Sequence, residues 1–147
     1  MATFARHVDV DWTGTLMEGS GTASAGTGAF SLPVTFPSRI NEKGDGKSTP
    51  EELLAASHAV CYAMGFAATL GRMGGKARKI KVTATVTADK GDKGIRIQSS
   101  ALTADVEGLE GIDAGRLQEI ASTAEAGCPI SNALRGSVQI SVRAAAT

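Results

Sequence analysis

Residues 49–70, TPEELLAASHAVCYAMGFAATL, constrain the fold of this chain more than any other stretch. Thr49 is a good N-cap, and Pro50 falls at the first helical position, where its missing N–H costs nothing. Glu52, three residues after Thr49, completes a capping box. From Leu53 to Leu70 the run is apolar or small on nearly every side: Leu53, Leu54, Ala55, Ala56, Ala59, Val60, Tyr62, Ala63, Met64, Phe66, Ala67, Leu70. A helix with no polar face is normally buried all round. A chain of 147 residues has little else to cover it with. The stretch is therefore predicted to be a long central helix, covered in part by a second copy of the chain.

The length suits one domain, residues 1–147, with a real core. Fifteen basic residues balance fifteen acidic ones, so no bulk field draws the chain to nucleic acid or to an anionic membrane. Ser57, His58 and Gly65 interrupt the apolar helix and make it a poor membrane span, and the opening MATFARHVDVDW lacks the apolar run of a signal peptide. The expectation is a cytoplasmic protein. In that reducing compartment two cysteines are rarely a structural staple. They are inert core thiols or redox-active ones, and that choice decides the function.

Residues 4–12 alternate as a strand, and 15–24 and 29–35 read as two weaker strands around a Gly26-Thr27-Gly28 turn. Together they predict an N-terminal antiparallel meander. Residues 37–48 read as a loop, and the central helix follows, ended by Gly71, Gly74 and Gly75. Residues 79–88 and 95–106 predict two further strands around a turn at 91–94. Asp113 caps a predicted helix over 114–125, which Gly127 stops. Cys128-Pro129 opens a short helix over 130–134, and 137–144 is a final strand. The order β-β-β-α-β-β-α-α-β is an α+β pattern.

Cys61, at the middle of the long helix, is either a small buried hydrophobe or a nucleophile. Cys128 stands between a helix-stopping Gly and a Pro, where free N–H groups and the positive dipole end favour a thiolate. It is also simply a residue in a capping position. Arg39 reads as a solvated loop charge or as a guanidinium that stabilises a thiolate and polarises a peroxide O–O bond. Glu51 reads as first-turn dipole compensation or as the carboxylate that orients Arg39. His58 shares a helix face with Cys61 and is either a satisfied core or interface histidine or a group that assists deprotonation. No CxxC or HxxxH pair supports a metal, and there is no P-loop, GxGxxG, GxSxG or basic aromatic stripe.

TPEELLAASHAVCYAM resembles the central helix of the OsmC/Ohr family, the osmotically inducible protein C and organic hydroperoxide resistance proteins. AEAGCPISNAL at 124–134 resembles the second cysteine motif of that family. VDWTGTLMEGSGTAS and TFPSRINEKGDGKSTPEEL look like the OsmC branch. The resemblance covers essentially the whole chain. It implies an OsmC-like fold, with antiparallel sheets around a long buried central helix, and an intertwined homodimer. It further implies a stress-response peroxidase that reduces organic hydroperoxides. Cys61 matches the peroxidatic cysteine, Cys128 the resolving one, Arg39 the OsmC-branch arginine, and Glu51 the glutamate after the proline. On this reading Arg39 lowers the Cys61 pKa, a Cys61–Cys128 disulfide closes the oxidative half of the cycle, and an external, lipoyl-type dithiol reopens it. No cofactor or metal is required. Leu54, Met64 and Phe66 are candidates to line an apolar peroxide pocket, or are plain core.

Ten residues of helix separate Glu51 from Cys61, roughly 15 Å of rise. A first-turn Glu cannot easily serve the Cys of its own helix. Antiparallel packing of two central helices would bring Glu51 and Arg39 of one subunit to Cys61 of the other, which predicts composite sites, two per dimer. Two other functions fit the same residues. One is a non-enzymatic protein binding a small apolar ligand, with inert cysteines. The other is a redox sensor that oxidises once and stops.

Overall fold

Alternation and turn chemistry produce two small sheets in the computed structural model, which describes residues 2–147. The chain divides into two compact units, one ending at Leu53 and the other running Leu54–Thr147.

In the first unit, β1 (Val8–Thr13), β2 (Ser20–Ala25) and β3 (Ser31–Val34) form an antiparallel meander in the order β1-β2-β3. Trp12 pairs with Gly21 across β1 and β2, and its ring lies where a Cβ on Gly21 would be, 2.9 Å from that position. The glycine therefore admits the indole. Residues 36–39, mostly read as loop from the sequence, are a one-turn helix α1 (Phe36–Arg39). Thr35 caps it by accepting from the Ser38 N–H at 3.3 Å, and Pro37 sits in the first turn where it is tolerated. Ser38 then donates to Asp45 at 2.7 Å, and Ser48 bridges to Val34 beside β3. The segment between them is thereby closed on itself.

The long helix α2 (Pro50–Arg72) begins at its predicted N-cap: the Glu52 N–H donates to Thr49 Oγ1 at 3.0 Å. By length and composition it could cross a bilayer. Its stripe of His58, Tyr62, Phe66, Thr69 and Leu70 is instead buried in the protein.

In the second unit, β4 (Lys79–Gly91) pairs antiparallel with β5 (Gly94–Glu107). A 3₁₀ turn at Ala114–Arg116 leads into α3 (Leu117–Ala126), and α4 (Pro129–Leu134) follows. The last strand, β6 (Gln139–Ala146), lies parallel to β5, so this sheet is mixed rather than wholly antiparallel. The α3–α4 crossover is what permits the parallel pairing. Tyr62, Phe66 and Leu70 of α2 pack with Leu102, Ala104 and Val106 of β5 and with Leu117, Ile120, Ala121 and Ala124 of α3. The Tyr62 hydroxyl donates to the Ala121 carbonyl at 2.9 Å, which satisfies its one buried polar group.

Candidate active site

Gly127 ends α3, and Pro129 starts α4, which leaves Cys128 as the N-cap in an extended conformation. Its side chain is fully buried and packs with Cys61 of α2 in the same core. Both cysteines are free thiols, and each acts on the acidity of the other.

The two sulfurs differ in their surroundings. Burial pushes Cys61 up, the Cys128 sulfur adds to the rise, and the Ile130 N–H only partly opposes it. Burial also acts on Cys128, but the N–H and hydroxyl of Ser131, the Cys61 thiol and the Ile130 N–H outweigh it and bring its pKa down. These donors act on the charge without closing a capping hydrogen bond. Within one chain the surroundings thus push the two thiols in opposite directions.

His58 is completely buried, with Nδ1 2.7 Å from Ser100 Oγ and Nε2 2.7 Å from Ser131 Oγ. Burial lowers its pKa, with weak opposition from the Glu125 charge. Ser100 and Ser131 did not emerge from the sequence. Ser100 carried a usable signal: it shares one face of β5 with Leu102, Ala104 and Val106, and a hydroxyl on an apolar face needs a partner. Phe66, a candidate pocket residue, is core, packed beside Tyr62 with ring centroids 6.0 Å apart. Met64 is 69% exposed.

In the first unit the closed 35–48 segment brings Arg39, the last residue of α1, to Glu51 in the first turn of α2. Arg39 Nη2 donates to Glu51 Oε1 at 2.7 Å, and Nε donates to both carboxylate oxygens at 3.1 and 3.2 Å. The pair is largely shielded, with side-chain exposures of 29% and 14%. Burial pushes the Glu51 carboxyl up, but the Arg39 hydrogen bonds and charge prevail and hold it below its ordinary value. This geometry fixes the plane of the guanidinium. Arg39 also borders a cavity of about 290 Å³ lined by Val10, Trp12, Leu16, Ala23, Val34, Phe36 and Leu53. The cavity can hold an apolar body beside a cation.

The sequence model of a family described as OsmC-like protein matches residues 43–143. Peroxiredoxin OsmC of Escherichia coli is 36% identical over 139 residues, which are 94% of this chain and 95% of that protein. Organic hydroperoxide resistance protein OhrA of Bacillus subtilis is 29% identical over 121 residues, 78% of this chain and 79% of the relative. Among solved structures, an organic hydroperoxide resistance protein from Elizabethkingia anophelis matches with a TM-score of 0.77 at 22% identity over 100% of both chains, a likeness of fold.

Proposed function

This chain belongs to the OsmC-like protein family, and from that premise we propose that it is a thiol-dependent peroxidase that reduces organic hydroperoxides to alcohols. The observation that carries the reading is the meeting of two free thiols at one core cluster, Cys61 on α2 and Cys128 at the head of α4. A pure binding protein needs neither.

In the proposed cycle the Cys61 thiolate attacks the distal peroxide oxygen. An S–O bond forms, the O–O bond breaks, and the alkoxide takes up a proton and leaves as alcohol. Cys61 is now a sulfenic acid. Cys128 attacks it, and an external dithiol, of the lipoyl type by family resemblance, reduces the resulting Cys61–Cys128 disulfide by exchange. Neither metal nor cofactor takes part. Free thiols and balanced charge suit the cytoplasm.

The proposed catalyst is a homodimer. Burial raises the Cys61 pKa in its own subunit, and a cation brought beside it would favour the thiolate. Arg39, held flat by Glu51 beside an apolar cavity, is suited to polarise a peroxide whose alkyl tail occupies that cavity. We assign these roles across the dimer: Arg39 and Glu51 of the partner subunit serve Cys61. Val60 and Met64, 55% and 69% exposed on an otherwise apolar helix, support coverage by a second copy.

The decisive experiment is consumption of cumene hydroperoxide and of hydrogen peroxide by the purified protein with excess dihydrolipoamide. Turnover is expected to be faster with the organic peroxide and lost in Cys61→Ser. If no turnover occurs and both thiols remain titratable after peroxide, the function is binding of a small apolar ligand in the 290 Å³ cavity. A single oxidation without turnover indicates a redox sensor.

A further inference from the structure

The proposed chemistry leaves the buried imidazole of His58 without a task. His58 is fully enclosed, a place where an imidazole is costly unless both ring nitrogens are satisfied. Ser100 of β5 meets Nδ1 and Ser131 of α4 meets Nε2, each at 2.7 Å. Ser131 is also the third residue of α4, from which a side chain reaches back to the N-cap. Ser131 and Cys128 are both buried one turn apart, and the Ser131 hydroxyl is among the groups that lower the Cys128 pKa. Ser100, His58 and Ser131 thus form one chain of hydrogen bonds through three elements, and it ends one helical turn from the Cys128 N-cap. The other titratable groups facing this chain are Cys61 and Tyr62 of α2 and Glu125 of α3. Glu125 is held by Arg135 at 2.6 Å.

We propose that His58 is a positioning residue for Cys128: it donates Nε2–H to Ser131 and so commits the Ser131 hydroxyl proton to the Cys128 sulfur. The direction of the chain follows from donor counting. A thiolate only accepts, so a Ser131 hydroxyl that serves Cys128 donates to the sulfur and accepts from His58. A neutral imidazole has one N–H. With that proton on Nε2, Nδ1 accepts from the Ser100 hydroxyl, and every group is satisfied. The opposite tautomer draws the Ser131 proton to Nε2 and leaves the sulfur without its hydroxyl donor.

The consequence for catalysis rests on the peroxidase reading. The Cys128 anion attacks the Cys61 sulfenic sulfur, the S–S bond forms, the S–O bond breaks, and hydroxide leaves to be protonated to water. No net oxidant beyond the hydroperoxide is needed. The hydrogen-bond assignment itself does not rest on that reading.

Nitrogen-15 NMR of the reduced protein, labelled at histidine, reads the tautomer directly. The sequence has two histidines, and His7 is exposed, so assignment is simple. An Nε2–H neutral imidazole for His58 is expected, and an Nδ1–H imidazole overturns the proposal. Alkylation of Cys128 against pH, in a Cys61→Ser background, reads the effect on the sulfur. Ser131→Ala and His58→Leu are each expected to raise the midpoint by about one pH unit, the scale of a lost charge-assisted hydrogen bond. His58→Gln, which retains an N–H donor, should bring it back toward the parent value. An unmoved midpoint in Ser131→Ala or in folded His58→Leu also overturns the proposal. Should His58→Leu fail to fold, the tautomer and Ser131→Ala decide. None of these measurements uses a peroxide, so failure here is distinct from failure of peroxidase turnover.

Discussion

At the scale of residues, two carriers of charge respond to acid in different windows. His58 has its folded pKa lowered by burial from an ordinary value of 6.5. Below that value the unfolded chain binds a proton that the folded chain refuses, so stability falls as pH drops from 6.5 toward the folded pKa. Glu51 has its folded pKa lowered from 4.5 by the Arg39 ion pair, against the opposing pull of burial. Its contribution is fully present above 4.5 and is lost as pH falls through the folded value. Urea midpoints at about pH 7.5 and 5.5 separate the two. The parent should lose stability across that interval, and His58→Gln should lose less. An equal loss in both would mean that His58 does not carry the acid response. Glu51→Gln should leave this interval unchanged and flatten the decline below pH 4.5.

At the scale of elements, α2 is set by its first turn and divided by its faces. The Thr49 hydroxyl satisfies the Glu52 N–H at 3.0 Å, and removing it in Thr49→Ala should cost about 1 kcal/mol. Chemical denaturation checks this; a change within error would show that the helix start is held by packing alone. The face bearing His58, Tyr62, Phe66 and Leu70 is buried, whereas Val60 and Met64 are exposed. Amphipathic pattern cannot distinguish these faces, because both are apolar in sequence. The partner elements distinguish them: β5 and α3 supply Leu102, Val106, Leu117 and Ile120 against one stripe only. The pairing of β6 was equally illegible. A strand's alternation specifies its faces but not its neighbour or its direction. The α1 turn was hidden because Thr35-Phe36-Pro37-Ser38 is too short for a period and is stabilised by a cap and by Ser38 to Asp45.

At the scale of the whole molecule, the proposed composite site makes a quantitative prediction. Arg39→Met and Cys61→Ser should each abolish peroxidase turnover. Refolded together from equal amounts, they form mixed dimers in which one site regains both residues. Random pairing of a two-fold dimer then restores roughly a quarter of the parent activity. No recovery, with mixed dimers demonstrated, would place Arg39 and Cys61 of one site in the same chain. What the sequence determined by itself was local or carried by motif. The α+β element order, the cap of α2, the meander and the family followed from periodicity, turn residues and the two cysteine motifs, because each depends on neighbours along the chain. The tertiary structure alone decided which face of α2 is covered, that β6 runs parallel to β5, and that His58 stands between two serines. It also decided the direction in which the acidity of each cysteine moves. That acidity depends on which N–H and O–H groups surround each sulfur, and those groups come from residues distant in sequence and adjacent only in the folded chain.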